Sequence, residues 1–118
     1  MSSGKSSRTK GSMAEREFAA LLVAAGFKGE RTGRNGRTSE DVTHDIPGVH
    51  LEVKRRETLA LPEWLRQAQK DCGSLEPVVA FRQSRQPWRV VVLAEDWLRL
   101  KKMETLTLHN VDTSEYVL

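Results

Sequence analysis

Cysteine is nearly absent from this chain. The 118 residues contain one, Cys72, so no internal disulfide can form, and a zinc site built on cysteine pairs lacks its ligands. Cys72 itself is expected to be apolar filler on a helix rather than a nucleophile, because no histidine is patterned beside it. Aromatic residues make up only 6%. Long hydrophobic runs are missing too: the longest, Phe18 to Ala25, falls far short of the roughly 18 residues that a membrane-crossing helix needs. The opening stretch MSSGKSSRTKG carries basic residues with no apolar segment behind them, which argues against a secretory leader. The expectation is an intracellular protein, in the cytoplasm of the cell or host, with no membrane partner. Its length suits one core and leaves no room for a second.

Charge is abundant, at 30% of residues, with a mean hydropathy of −0.52 and a net charge of +3. Its distribution is uneven. Residues 1–37 hold eight Lys/Arg against three acids, whereas the rest of the chain holds eleven against thirteen. A basic segment leading a near-neutral body points to a polyanion partner, most simply nucleic acid. Residues 1–10, rich in Ser, Gly, Lys and Arg, read as a flexible basic arm, and residues 11–118 as a single domain.

Hydrophobic periodicity predicts a helix over 13–25, with Ala14, Phe18, Leu21, Leu22 and Ala25 on one stripe, Ser12 as N-cap and Gly26 as the C-terminal stop. A short strand over 27–31 and a polar, glycine-rich basic loop over 32–38 should follow. Pro47–Gly48 suits the centre of a type II turn and predicts a hairpin between 41–46 and 49–55. Alternation would then bury Val49, Leu51 and Val53, leaving His50, Glu52 and Lys54 on a polar face with Asp41, Thr43 and Asp45. Pro62, Trp64, Leu65, Ala68 and Cys72 predict a second helix that ends before Gly73. Two apolar runs, 77–81 and 88–93, predict further strands joined by a polar turn. Glu95 to Lys102 should be a third helix with Trp97 and Leu98 on the core, and 105–108 a last strand. Trp64, Trp88 and Trp97 are expected in core or dimer contacts rather than stacked on bases. The pattern is that of an α/β fold.

The chemistry-bearing segment is Glu52–Val53–Lys54, acid and base on the same face of one strand. Carboxylates on neighbouring strands, with Cβ atoms roughly 7–8 Å apart on a diagonal, can converge on one hard divalent cation. A lysine beside them suits phosphate chemistry, where it orients water or offsets charge growing on phosphorus. Alternating charges also occur on ordinary exposed sheets, so the triplet gains meaning from its context. That context is an ordered series: Lys10 to Glu17, an apolar helix ending in Ala25–Gly26–Phe27, Arg31, Asp41–Val42, then Leu51 to Lys54. The series resembles the archaeal-type Holliday junction resolvases and their bacteriophage relatives in the PD-(D/E)-x-K nuclease superfamily, over roughly Lys10 to Leu100. The resemblance implies a restriction-endonuclease-like mixed central sheet flanked by helices. It further implies a homodimeric endonuclease, dependent on Mg²⁺ or Mn²⁺, that makes paired nicks in four-way DNA junctions.

By the same resemblance, Glu15 is the acid of the first helix, Asp41 the strand aspartate, Glu52 the second metal carboxylate, Lys54 the catalytic lysine and Gln67 a helix glutamine of the site. Asp41, Glu52 and Glu15 would hold the metal. Lys10, Ser12, Arg16, Arg31, Arg34 and Arg37 would contact the DNA backbone. The superfamily's proline before the aspartate is missing, since the sequence reads Ser39–Glu40–Asp41. Asp45 therefore stays as the rival to Asp41, which is favoured by its place after the glycine loop. Ser12 and Glu15 also have capping-box spacing, so Glu15 is either a cap or a metal acid. His44, His50 and His109 are too scattered for zinc; His50, on the polar hairpin face, is either a group supporting the metal ligands or, as favoured here, a surface histidine, and Glu17 is expected to be solvated. Two other readings remain open: a related nuclease acting on flaps, nicks or duplex ends, and a non-catalytic DNA-binding protein.

Overall fold

The strand that follows the Pro47–Gly48 turn pairs across a helix rather than with the strand before it. In the computed structural model, which describes residues 3–32 and 41–110 (the backbone alone for 3–10 and 110), β3 (Val49–Arg55) pairs in parallel with β4 (Glu76–Arg82). Helix α2 (Leu61–Asp71) makes the crossover that parallel pairing requires. A polar turn then returns the chain antiparallel as β5 (Arg89–Val92), giving the order β3-β4-β5. Ahead of this sheet, α1 (Ser3–Ala24) leads into a separate antiparallel pair, β1 (Gly29–Arg31) with β2 (Val42–His44). The chain closes on α3 (Ala94–Asn110). This is a mixed α/β architecture, as the sequence led us to expect.

Helix α1 covers one sheet face. Its Ala14, Phe18, Ala19 and Leu22 form a core with Val42, Leu51, Val53 and Ala80, and Trp88 packs edge-on against Phe18 at 5.1 Å. On the opposite face, α2 buries Ala68 completely and sets Trp64 against Phe81. Strand alternation puts His50, Glu52 and Lys54 on this α2 side. The helix α1 ends as predicted: the Phe27 N–H donates to the Leu22 carbonyl and that of Gly26 (φ 96°) to Val23, a Schellman closure. β1 can lie tight on α1 because Gly29 has no side chain, since a Cβ there would stand 2.4 Å from the Ala19 carbonyl oxygen.

Several expectations are corrected. Helix α1 starts at Ser3 rather than Met13, so Ser12 is an interior helical residue and caps nothing, and residues 3–10 of the expected arm continue that helix. The Pro47–Gly48 turn forms with φ 69° at Gly48, but its arms diverge: β2 pairs with β1 and β3 with β4. The three-residue, polar β2 could not cover a strand that is buried on both faces, whereas the apolar β4 can. The hairpin register expected for Asp41, Thr43 and Asp45 therefore does not exist. The segment 105–108 is helical, with the Thr105 and Thr107 hydroxyls donating back to the Lys101 and Met103 carbonyls. Trp97 and Leu98 face solvent instead of the core. Glu17 is bonded by Arg82 and by the Trp88 indole N–H.

Candidate active site

The site forms along the edge of β3 that, among the described residues, no strand pairs with. One edge of β3 pairs with β4, and on the other the Val53 N–H is received by the Asp41 carboxylate at 2.9 Å. A side chain thus stands in for a missing strand. It fixes Asp41 to the residue between Glu52 and Lys54. Glu52, only 8% exposed, accepts a hydrogen bond from the His50 ring at 3.0 Å, and His50 is 3% exposed. Their i, i+2 spacing places both on one face, and α2 closes over that face.

The electrostatics bind these groups into one unit. Burial pushes the Glu52 carboxyl above its usual range; the bond from His50 opposes this, the Asp41 charge reinforces it, and Lys54 opposes it. Glu15, presented by α1, is also raised by burial, held back by its bond from Arg31 at 2.8 Å and raised further by Asp41. The fold therefore gathers three carboxylates, of which Glu15 is paired with Arg31 and Glu52 with His50. Asp71, at the end of α2, adds another carboxylate: the ligand atoms of His50, Glu52 and Asp71 lie within 4.8 Å of one another. This donor set fits a divalent cation, because its oxygens suit Mg²⁺ or Mn²⁺ and an imidazole also accepts softer ions.

Glu15 and Glu52 both feel the charge of Asp41, and Glu52 also feels that of Lys54, so the four residues gather in one region, with His50 and Asp71 grouped around Glu52. Asp45 is directed elsewhere, accepting the Lys28 N–H at 2.7 Å on the exposed side of the chain. Glu15 bonds Arg31 rather than a helix end, which removes the capping reading. Gln67 is exposed and donates to Asp71 at 3.0 Å. Arg16 is exposed and near enough to Glu15 to favour its ionised form, while Ser12 is half-buried. Arg34 and Arg37 lie outside the described residues, as does the Lys10 side chain. Asp71 is what sequence reasoning missed, and His50, favoured there as a surface residue over a supporting group, is buried against Glu52. A histidine two residues before the glutamate on a strand facing a crossover helix was the available signal for His50; Asp71 had none.

A carboxylate and lysine centre on the edge of a mixed sheet, with a helix-borne acid beside it, defines a nuclease of the PD-(D/E)-x-K class. The chain belongs to the family described as "Phage putative PDDEXK endonuclease", whose model matches residues 6–117. Among solved structures it is similar to Hjc, a Holliday junction resolvase from the archaeal hyperthermophile Archaeoglobus fulgidus, with 23% identity, 66% of this chain and 72% of that chain covered, and a TM-score of 0.46. No curated protein sequence matches the chain. Among the described residues, no helix is long and apolar enough to cross a membrane.

Proposed function

We propose that this endonuclease is a Holliday junction resolvase that uses Mg²⁺ or Mn²⁺ to make paired nicks in four-way DNA junctions, acting as an intracellular homodimer. The observation that carries the catalytic part is the Asp41 carboxylate on the Val53 N–H, which holds Asp41 beside Glu52 and Lys54. The order of motifs from Lys10 to Lys54 supports the junction as substrate. When bound, the cation would supply charge neutralisation at the scissile phosphate and lower the pKa of water. Glu52 and Asp41, with Glu15 assisting, would hold that cation, and Asp71 lies near enough to Glu52 to join them. His50 fixes the Glu52 rotamer through its ring N–H, and Gln67 steadies Asp71. Lys54 orients the attacking water and offsets the charge that grows on phosphorus. Water adds in line and the 3′ oxygen departs, leaving a 3′-hydroxyl and a 5′-phosphate. Lys10, Ser12, Arg16, Arg31, Arg34 and Arg37 grip the backbone without reading bases. An isologous dimer would set two identical sites in opposed orientation, which paired cuts need.

The test compares labelled four-way, flap and linear duplex substrates with Mg²⁺ and with EDTA, using Lys54→Ala as control. Symmetric paired nicking of the junction, lost in EDTA and in the variant, is expected. Preferential cutting of flaps or duplex ends would move the protein to another substrate, and nicking that survives EDTA would overturn the metal centre.

A further inference from the structure

We infer that the arginines gathered at the C-terminal end of the parallel strands form a second phosphate-binding surface, which holds the nucleic-acid backbone beside the candidate active site. The inference rests on the nuclease reading above and adds a contact region that the N-terminal charge bias concealed. Strand register assembles it. Arg55 of β3 lies opposite Arg82 of β4, while Lys54 lies opposite Phe81, which is itself opposite Arg89 of β5. Arg56 follows Arg55 directly, and Arg85 occupies the turn between β4 and β5. Five guanidinium groups from separate parts of the sequence therefore share one end of the sheet.

The acids at this end are already engaged. Glu57 accepts from Arg55, from the Ser84 N–H and from the Ser84 hydroxyl, and Glu17 accepts from Arg82 and Trp88. These bonds neutralise Arg55 and Arg82 and tie the β4–β5 turn to β3 and α1. Arg56, Arg85 and Arg89 are exposed, and among the described residues none of the three has a carboxylate partner. Arg89 is braced over the Phe81 ring at 4.9 Å and donates to Gln83, which orients its guanidinium without neutralising it. Arg85 has φ 63°, a conformation that Gly or Asn adopts more easily, yet the turn carries arginine there. Each planar fork keeps free donors matched to phosphate oxygens.

Position identifies the ligand. Arg56 lies two residues beyond Lys54, about 7 Å along the strand, and Arg89 shares a row with Lys54 across Phe81. Duplex DNA carries one charge per about 1.7 Å of axis, so a backbone whose scissile phosphate meets Lys54 brings neighbouring phosphates to these arginines.

The experiment measures binding of the full chain to a labelled four-way junction and a linear duplex in EDTA, across a salt series. It compares wild type, the triple variant Arg56→Gln/Arg85→Asn/Arg89→Gln and the charge-matched control Lys70→Gln/Lys101→Gln/Lys102→Gln. The arginine variant should bind on the order of 10- to 100-fold more weakly at moderate salt, with a salt slope shallower by about 2–3, near 0.9 per lost phosphate contact. The control should resemble wild type. Equal melting temperatures establish that folding is intact, and should the triple variant melt early, Arg56→Gln alone should still flatten the slope by about 1. Wild-type affinity and slope in folded arginine variants would overturn the inference while leaving the nuclease reading standing, as would an equal loss in the control. Wild type that binds neither probe would instead remove the nuclease reading on which it rests.

Discussion

At its start and middle β3 buries His50 and Glu52 under α2, whereas two residues later the chain emerges as Lys54, Arg55 and Arg56 at the end of the sheet that also holds Arg82, Arg85 and Arg89. One end concentrates negative charge away from water and the other exposes positive charge to it. Their stability costs differ accordingly. A buried carboxylate is held against its desolvation cost, which the bond from His50 and the charge of Lys54 offset only in part. Exposed arginines cost the fold little and serve to hold a polyanion. The contrast separates chemistry from grip along a single strand, so substitutions at the two ends should fail in different assays.

The largest effect is expected from Asp41→Asn set against Asp45→Asn. Asp41 sits on Val53 beside Glu52, and Asp45 serves Lys28. Asp41→Asn should lower junction cleavage by at least about 100-fold while leaving DNA binding near wild type. Asp45→Asn should cut normally. The reverse result in a cleavage assay would reassign the strand aspartate.

His50→Leu comes next. Leucine keeps the site filled but removes the bond to Glu52, so the Mn²⁺ or Mg²⁺ concentration that half-activates cleavage should rise by about 10- to 100-fold. His50→Gln, which still carries an amide donor, should recover part of the loss. An unchanged metal requirement in His50→Leu would show that Glu52 is held without the histidine.

The smallest effect belongs to the arginine end. Glu57 is pulled down to about 2 by its bonds from Ser84 and Arg55. A lowered folded pKa means that the unfolded chain binds the extra proton first, so this contribution is complete above the ordinary carboxylate range and fades as pH falls toward 2. The melting-temperature gap between wild type and Glu57→Gln should therefore be small at neutral pH and should close on acidification. A gap that widens in acid would contradict the Ser84–Glu57–Arg55 clasp.

Much of the site was legible in the sequence because its chemistry is local. Glu52-x-Lys54 on one strand and the Pro47–Gly48 turn depend on short spacing, whereas Glu15 was reached through the family resemblance, and the structure puts each on the expected element. The strand pairing was not legible. A type II turn between 41–46 and 49–55 looks like a hairpin until a more apolar partner competes for β3, and that partner lies beyond a crossover helix. The same long-range choice covers the polar face of β3, so His50 and Glu52 are buried where alternation alone left them exposed. The arginine end escaped for a related reason: its members are separated in sequence, and the acids that balance them in a charge count are occupied as struts. The third helix showed the limit of periodicity, since Trp97, Leu100 and Met103 have helical spacing but stay half or more exposed.

The account turns on Glu52 as a carboxylate kept buried for its chemistry. Its pKa is raised by burial, so folding stability falls as pH climbs from the ordinary glutamate range through that raised value. The most direct measurement pairs the metal-dependent cleavage rate of Glu52→Gln with its melting temperature at neutral pH. The account predicts cleavage lower by at least about 100-fold together with a melting temperature equal to or above that of wild type. Retained cleavage, or a folded state clearly weakened by the glutamine, would contradict it.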